Sequence, residues 1–241
     1  MPLKVCQFPC LNDNYGFLVR DEASGKVGCV DTPDAEAILK ELRRLGWGLD
    51  LILNTHWHAD HAGGNERLKA ETGCEIVGPQ EVTRIAPLDR PVGEGDVIEL
   101  GATRLEVLDT GGHTLGHISY YDRADGMVFV GDTLFALGCG RMFEGTPEQM
   151  WASLSKLAAL PDDTLVYCAH EYTASNARFA LTVDESPALK ARAEAVFAAR
   201  ERGEPTVPTR IGLEKAANPF LKAGGARRFA EVRQAKDVFR G

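Results

Sequence analysis

Three of the chain's six histidines fall within one six-residue span, His56-Trp57-His58-Ala59-Asp60-His61, preceded by Thr55. This H-x-H-x-D-H cluster restricts the fold more than any other feature. In a dry core its ring nitrogens and carboxylate would each demand a separate hydrogen-bond partner. Neutral imidazole is the commonest transition-metal ligand, and four ligand-type side chains at this spacing serve two metal ions better than one. The remaining histidines, His113, His117 and His170, each lie just after an expected strand. A chain that used histidine as a general surface residue would scatter it.

Periodicity supplies the frame around these residues. Period-2 or fully apolar runs predict strands over Leu3–Phe8, Asn14–Arg20, Gly28–Asp31, Leu49–Asn54, Glu75–Val77, Val97–Leu100, Arg104–Asp109 and Thr164–Cys168. Ile118–Tyr121 and Met127–Gly131 read as a hairpin around Asp125-Gly126. Helical spacing covers Asp34–Leu45, with Ile38, Leu39, Leu42 and Leu45 on one face and Gly46 as the stop. Gly63–Thr72 and Pro147–Leu160 are also expected helices. Strands alternating with helices indicate a layered α/β fold. Four strands end in a candidate ligand: the His56 cluster, His113, Asp132 and His170. Loops at strand ends on a rigid sheet are where sites usually form. Beyond about Tyr172 only helices are expected, over Ala174–Val183, Pro187–Arg202, Thr209–Ala217 and Ala226–Phe239. The expected division is a catalytic domain over residues 1–172 and a helical subdomain over 173–241.

Composition excludes several classes of function. The formal net charge of −8 argues against a nucleic-acid partner, which needs a basic surface. No stretch approaches the roughly 20 apolar residues that cross a bilayer, so no membrane partner is expected. The N-terminus lacks the shape of a signal peptide. The six cysteines form no C-x-x-C pair, and a chain this long does not need disulfide staples. They are expected to be reduced, in a cytoplasmic protein. Cys139 reads as a small residue in the tight loop Gly138-Cys139-Gly140. No apolar seam stands out, so a monomer is expected. Residues 226–241 carry five basic side chains against two acidic ones. That stretch is either a local anion site or a solvated helix face.

Several motifs together carry a family resemblance. T-H-W-H-A-D-H at Thr55–His61 resembles the signature of the metallo-β-lactamase superfamily. G-G-H-T-L-G-H at Gly111–His117, F-V-G-D-T-L-F at Phe129–Phe135 and Y-C-A-H-E-Y at Tyr167–Tyr172 resemble the glyoxalase II family, the hydroxyacylglutathione hydrolases. The similarity continues through G-E-P-T-V-P at Gly203–Pro208, N-P-F-L at Asn218–Leu221 and V-R-Q-A-K-D at Val232–Asp237. The resemblance implies an αββα sandwich with a helical C-terminal subdomain and a site for two divalent metal ions. It places His56, His58 and His113 on one ion and Asp60, His61 and His170 on the other, with Asp132 shared. The acidic ligands Asp60 and Asp132 would be central to catalysis. Zinc is the first choice of metal, and iron or manganese also suits such ligands. Arg141, Phe143, Tyr172, Arg233 and Lys236 fall at glutathione-contacting positions. Arg141 stands where lysine is common, and Phe143 where a tyrosine hydroxyl often supplies a hydrogen bond.

The implied reaction is hydrolysis of a glutathione thioester, chiefly S-(R)-lactoylglutathione, as the second step of methylglyoxal detoxification. Two cations about 3.5–4 Å apart can activate a water near pH ~7 and polarise a carbonyl. A thiol, which ordinarily ionises near pH ~8.5, leaves as thiolate with little help, whereas an amide nitrogen needs a proton. Arginine grips a carboxylate through its planar fork, and Arg233 and Lys236, three apart on a helix, share a face. Read without the family, that pair fits a solvated face equally well. His117 is expected to pack near the ligands rather than bind metal. Asp31 either accepts from a ligand imidazole or begins the turn before Pro33. Thr55 and Thr133 have similar potential. The alternative reading is a mononuclear-iron glutathione persulfide dioxygenase. Another superfamily hydrolase, such as a lactonase, β-lactamase or nuclease, is a further reading, with the acidic surface against the nuclease. A non-catalytic binding module would be expected to have lost a ligand position, and none is missing.

Overall fold

A computed structural model describes residues 3–241. Met1 and Pro2, the start of the expected catalytic domain, lie outside the described residues. The described residues form two compact units, residues 3–109 with 116–131, and residues 110–115 with 132–241.

The first unit opens with β1 (Leu3–Cys10), β2 (Asn14–Asp21) and β3 (Val27–Val30), an antiparallel run. Helix α1 (Ala35–Leu45) then returns the chain to β4 (Leu51–Leu53), which lies parallel to β3. The Asp34 side chain caps α1 by accepting from the Glu36 and Ala37 amides, and Gly46 ends it at φ 67°. A short helix α2 (Ala59–Ala62) and α3 (Asn65–Thr72) precede β5 (Glu75–Gly78) and the two-residue β6 (Arg90–Pro91), both parallel to their neighbours. Strands β3 and β4 are buried on both faces, as parallel strands are. On one face Ile38, Leu39 and Leu42 of α1 and Leu68 of α3 pack on Leu18, Cys29, Ile52 and Ile76.

The other face meets a second, antiparallel sheet within this unit. Its strands are β7 (Val97–Leu100), β8 (Thr103–Asp109), β9 (Ile118–Asp122) and β10 (Met127–Gly131). The Phe17 and Phe129 rings meet edge to face at 5.8 Å, and Tyr120 donates its hydroxyl to the Asn54 carbonyl at 2.7 Å. Buried Asp21 ties the sheets at their border by accepting from the Ala102 amide and the Thr103 hydroxyl. With the Ser24 hydroxyl as the main donor, these bonds hold its carboxyl down at about 2.

The second unit contains the hairpin β11 (Leu134–Phe135) and β12 (Gly138–Cys139), helix α4 (Pro147–Ala158) and strand β13 (Leu165–Cys168). Helices α5 (Thr173–Ala180) and α6 (Pro187–Glu201) follow. Then come β14 (Thr209–Arg210), α7 (Ile211–Ala217) and α8 (Ala226–Val238). The expected helix over 209–217 therefore starts two residues late. Thr209 and Arg210 are extended and pair antiparallel with Val166 and Leu165, so the tail is not purely helical. The buried Thr209 hydroxyl donates to Glu214 at 2.6 Å, which holds residue 209 outside the first turn. Strands of two residues, such as β6, β11 and β12, are too short to show a period of two.

Glu214 is the polar centre of this unit. It is fully buried, accepts from the Leu137 amide at 2.8 Å and from Asn218 at 3.0 Å, and pairs with Arg192. It thereby pins Leu137 of the β11–β12 turn, whose φ of 57° is unusual for leucine, onto Ala177, Leu189, Ala193 and Ala217. Glu214→Ala should lower unfolding stability by about 3–5 kcal/mol, because it leaves the Arg192 charge buried and uncompensated. Denaturant unfolding of the full chain measures this, with Glu214→Gln expected to lose less.

Candidate metal centre

The first part of the site grows from the ends of β3 and β4. Asp31 follows β3 with φ 56°, a left-handed conformation that aspartate tolerates better than most residues. Its buried carboxylate accepts the Thr55 amide and the Thr55 hydroxyl, each at 2.8 Å, and meets His61 Nδ1 at 2.7 Å. A carboxylate at this contact takes the Nδ1 proton and leaves the His61 Nε2 lone pair for a cation. The Thr55 hydroxyl has one proton and gives it to Asp31. It must therefore accept at its 3.0 Å contact with His56 Nδ1, which leaves His56 Nε2 as the lone pair. That Nε2 lies 3.0 Å from His58 Nδ1. Asn54, fully buried, accepts from Asn65 at 2.6 Å and donates to the His61 carbonyl at 2.8 Å, fixing the turn into α2. Asn14, at the start of β2, donates to Asp60 Oδ2 at 3.1 Å. Asp60 Oδ2 and His61 Nε2 are 3.5 Å apart.

The remaining ligand positions belong to the second unit. His113 Nδ1 lies 2.7 Å from the Arg141 carbonyl, which can only accept, so Nε2 again carries the lone pair. Asp132 directs one oxygen to each of two histidines, with Oδ2 3.5 Å from His113 Nε2 and Oδ1 3.4 Å from His170 Nε2. These gaps are long for hydrogen bonds. They match the roughly 3.4 Å between two ligands that each sit about 2.0–2.1 Å from one tetrahedral cation. The donor set of imidazole and carboxylate fits zinc, iron or manganese.

Within the first unit, ligand-type atoms of Asp31, His56 and His61 all lie within 4.8 Å of one another. The three donors already on Asp31 suit a carboxylate that orients imidazoles, and both of its readings hold: it meets the His61 imidazole and it makes a left-handed turn after β3. His117 is buried and stacks on the His56 ring at 4.9 Å, in keeping with a packing role. Thr133 donates to the Thr110 carbonyl at 2.9 Å.

Sequence comparison bears on the same residues. The profile of the metallo-beta-lactamase superfamily matches residues 27–170, and that of the hydroxyacylglutathione hydrolase C-terminus matches residues 171–239. A Maricaulis maris protein named hydroxyacylglutathione hydrolase is 54% identical over 253 residues, covering 98% of this chain and 99% of the relative. The chain belongs to the hydroxyacylglutathione hydrolase family of the metallo-beta-lactamase superfamily. Among solved structures, ETHE1 from Myxococcus xanthus superposes with a TM-score of 0.75 at 28% identity, covering 100% of this chain and 93% of that one. TTHA1623 in a di-iron-bound form superposes with a TM-score of 0.64 at 26% identity, covering 90% and 100%.

This member of the hydroxyacylglutathione hydrolase family gathers cationic side chains in its second unit. Arg233 of α8 is buried rather than solvated. Its Nη1 donates to the Cys139 carbonyl at 2.9 Å, and its guanidinium lies 5.2 Å from the Phe220 ring. Its Nε is buried and finds no hydrogen-bond partner among the described residues. Lys236 donates to Ser175 and sits 5.4 Å from both the Phe179 and Phe239 rings. Burial, then the Arg233 and Arg178 charges, push its ammonium down to about 8. The exposed Arg141 side chain points to Asp237 at 3.3 Å. Phe143, 61% exposed, sets its ring edge-on to His113 at 5.2 Å, and Tyr172 stacks flat on His170 at 4.6 Å. The Cys139 thiol is buried and pushed up to about 11, which suits a packing role in its glycine loop. Ser175 and Asn14 carry no motif signal that would have marked them from sequence, and Asp237, the last residue of the V-R-Q-A-K-D motif, gains no role from it. Asp31→Asn is expected to weaken zinc binding about 10-fold or more, the usual effect of losing a charged partner behind a ligand histidine. Competition against a chromophoric chelator measures it.

Proposed function

We propose that this protein hydrolyses S-(2-hydroxyacyl)glutathione thioesters, chiefly S-(R)-lactoylglutathione, to glutathione and (R)-lactate, the second step of methylglyoxal detoxification. The observation that carries the reading is the fully filled ligand set in a chain that matches the hydroxyacylglutathione hydrolase C-terminus as well as the superfamily core. Relatives sharing about half their residues carry that name, which favours the hydrolase over a persulfide dioxygenase. In this reading His56, His58 and His113 hold one divalent cation, Asp60, His61 and His170 hold a second, and Asp132 serves both. The two-oxygen posture of Asp132 and the di-iron-bound form of the similar structure support a count of two. Zinc is the first choice, with iron or manganese as substitutes.

Bound there, the cations would supply Lewis acidity toward the thioester carbonyl and lower the pKa of water. The chain's own residues do the rest. Asp31, Thr55 and the Arg141 carbonyl keep protons on the Nδ1 atoms of His61, His56 and His113, so no ligand turns away. Water adds to the thioester carbonyl, the C–S bond breaks, and the sulfur departs as thiolate without needing a dedicated acid. Residues 173–241 act as the glutathione-binding subdomain. Arg233 and Lys236 receive the glycine carboxylate of glutathione, with Arg141, Phe143 and Tyr172 along the tripeptide. The free Nε of Arg233 and the partly desolvated Lys236 ammonium support that role. Phenylalanine at 143 gives up the hydrogen bond a tyrosine would make. The protein acts as a cytoplasmic monomer. All six cysteines are free thiols, and no helix among the described residues is long and apolar enough to cross a membrane.

Purified protein should release glutathione from S-(R)-lactoylglutathione, contain two metal ions per chain and lose activity to a chelator. One iron per chain with oxygen consumption on glutathione persulfide would replace this reading with the dioxygenase. The lowered Lys236 value sets a pH dependence. The ammonium is the binding form, so affinity is present below about 8 and declines as the proton leaves. kcat/KM, which reports the free protein, should fall as pH rises through about 8 while kcat changes little. In Lys236→Arg that fall should disappear from the profile.

A further inference from the structure

The segment Cys139-Gly140-Arg141 is held at both ends. The Arg141 carbonyl meets His113 Nδ1 at 2.7 Å, and the Cys139 carbonyl accepts from Arg233 Nη1 at 2.9 Å. Between them, Gly140 donates its amide to the Thr133 carbonyl at 3.2 Å. A Cβ at Gly140 would run into the Asp132 carbonyl and lie 3.2 Å from His113 Nδ1. The tripeptide thus threads between two candidate ligands with no spare volume. Its outer side is clasped by one carboxylate. Asp237 Oδ1 lies 3.3 Å from Arg141 Nε and 3.0 Å from Arg233 Nη2. Arg233 is buried and already anchored on Cys139, so it gives Asp237 a fixed base from which to hold the more exposed Arg141.

We infer that Asp237 is a positioning residue for His113. By clasping Arg141 to Arg233 it fixes the tripeptide whose last carbonyl accepts a hydrogen bond from His113 Nδ1–H, and so it sets the direction of Nε2. This inference rests on the reading of His113 as a metal ligand. It assigns α8 a second task beside carboxylate binding. The same helix that receives the substrate's charge steadies one ligand of the centre. By linkage, an anion that engages Arg233 then changes metal affinity, and metal changes anion affinity by the same factor.

The test uses the full-length protein with cobalt(II) in place of its native metal. Asp237→Asn keeps the shape and removes the charge, and Arg141→Ala removes the other half of the clasp but keeps the carbonyl. Glu231→Gln on the same helix, where Glu231 pairs only with Arg227 and Arg228 among the described residues, is the control. Asp237→Asn and Arg141→Ala should each weaken cobalt binding by about 3- to 10-fold and alter its visible absorption. That is less than the roughly 10- to 100-fold typical of a direct partner of a ligand. Glu231→Gln should match the wild type, and all four metal-free proteins should unfold at similar temperatures. Cobalt affinity and spectrum unchanged in both clasp variants would overturn the inference. So would losses matched by the control or by the stability of the metal-free state. A wild type that takes up no cobalt would instead overturn the ligand reading on which the clasp depends.

Discussion

The Asp31 carboxylate is the interaction on which the first part of the site depends. It accepts the Thr55 amide, the Thr55 hydroxyl and the His61 Nδ1 proton while almost fully buried. A buried carboxylate is tolerable only when its oxygens are satisfied, and here each donor has a consequence. The amide contact fixes where the chain leaves β4. The hydroxyl contact orients Thr55, which orients His56. The imidazole contact orients His61. One residue placed by a left-handed turn after β3 therefore sets the lone-pair direction of two candidate ligands. Alanine at position 31 would leave these buried donors without their acceptor.

The features that sequence revealed and those it hid divide along physical lines. The H-x-H-x-D-H cluster, the buried parallel strands and α1 with its Asp34 cap were legible, because each is a local pattern with a local cause. The hairpin around Asp125-Gly126 was legible for the same reason. The β14 strand was not. Thr209 is extended because it pairs with Val166, far back in the chain, while its hydroxyl goes to Glu214, itself placed by Arg192 and Asn218. Nothing in Thr209-Arg210 alone distinguishes it from a helix start. Asp31 was legible only as two alternatives, since the pairing with His61 crosses thirty residues of sequence.

The basic tail shows why charge counts leave such questions open. Arg227 and Arg228 pair with Glu231 on an exposed face, as a solvated helix would. Arg233 and Lys236 lie on the same helix, yet Arg233 is buried and Lys236 packs on two aromatic rings. The solvated-face reading of the basic stretch therefore holds for Arg227 and Arg228 and not for Arg233 and Lys236. The separation follows helical phase. Phe229, Val232 and Arg233 are the buried residues of α8, and Lys236 continues that stripe one turn on.

An acidic chain with a recessed cationic cluster has a kinetic consequence. A net charge of −8 spread over the surface repels an anionic thioester at long range. In the proposed role, Arg141, Arg233 and Lys236 would attract it only within about a Debye length, ~8 Å at physiological ionic strength. Added salt screens both effects, but it acts first on the exposed, distant charges. Encounter with the substrate should therefore slow less with salt than it does for proteins steered by a wide basic face. In that role Arg233 and Lys236 would keep most of their hold on a carboxylate, because Arg233 is shielded from solvent and Lys236 is partly so. In the proposed reading, binding at this site would be governed by local desolvation and hydrogen bonding more than by the field of the whole protein.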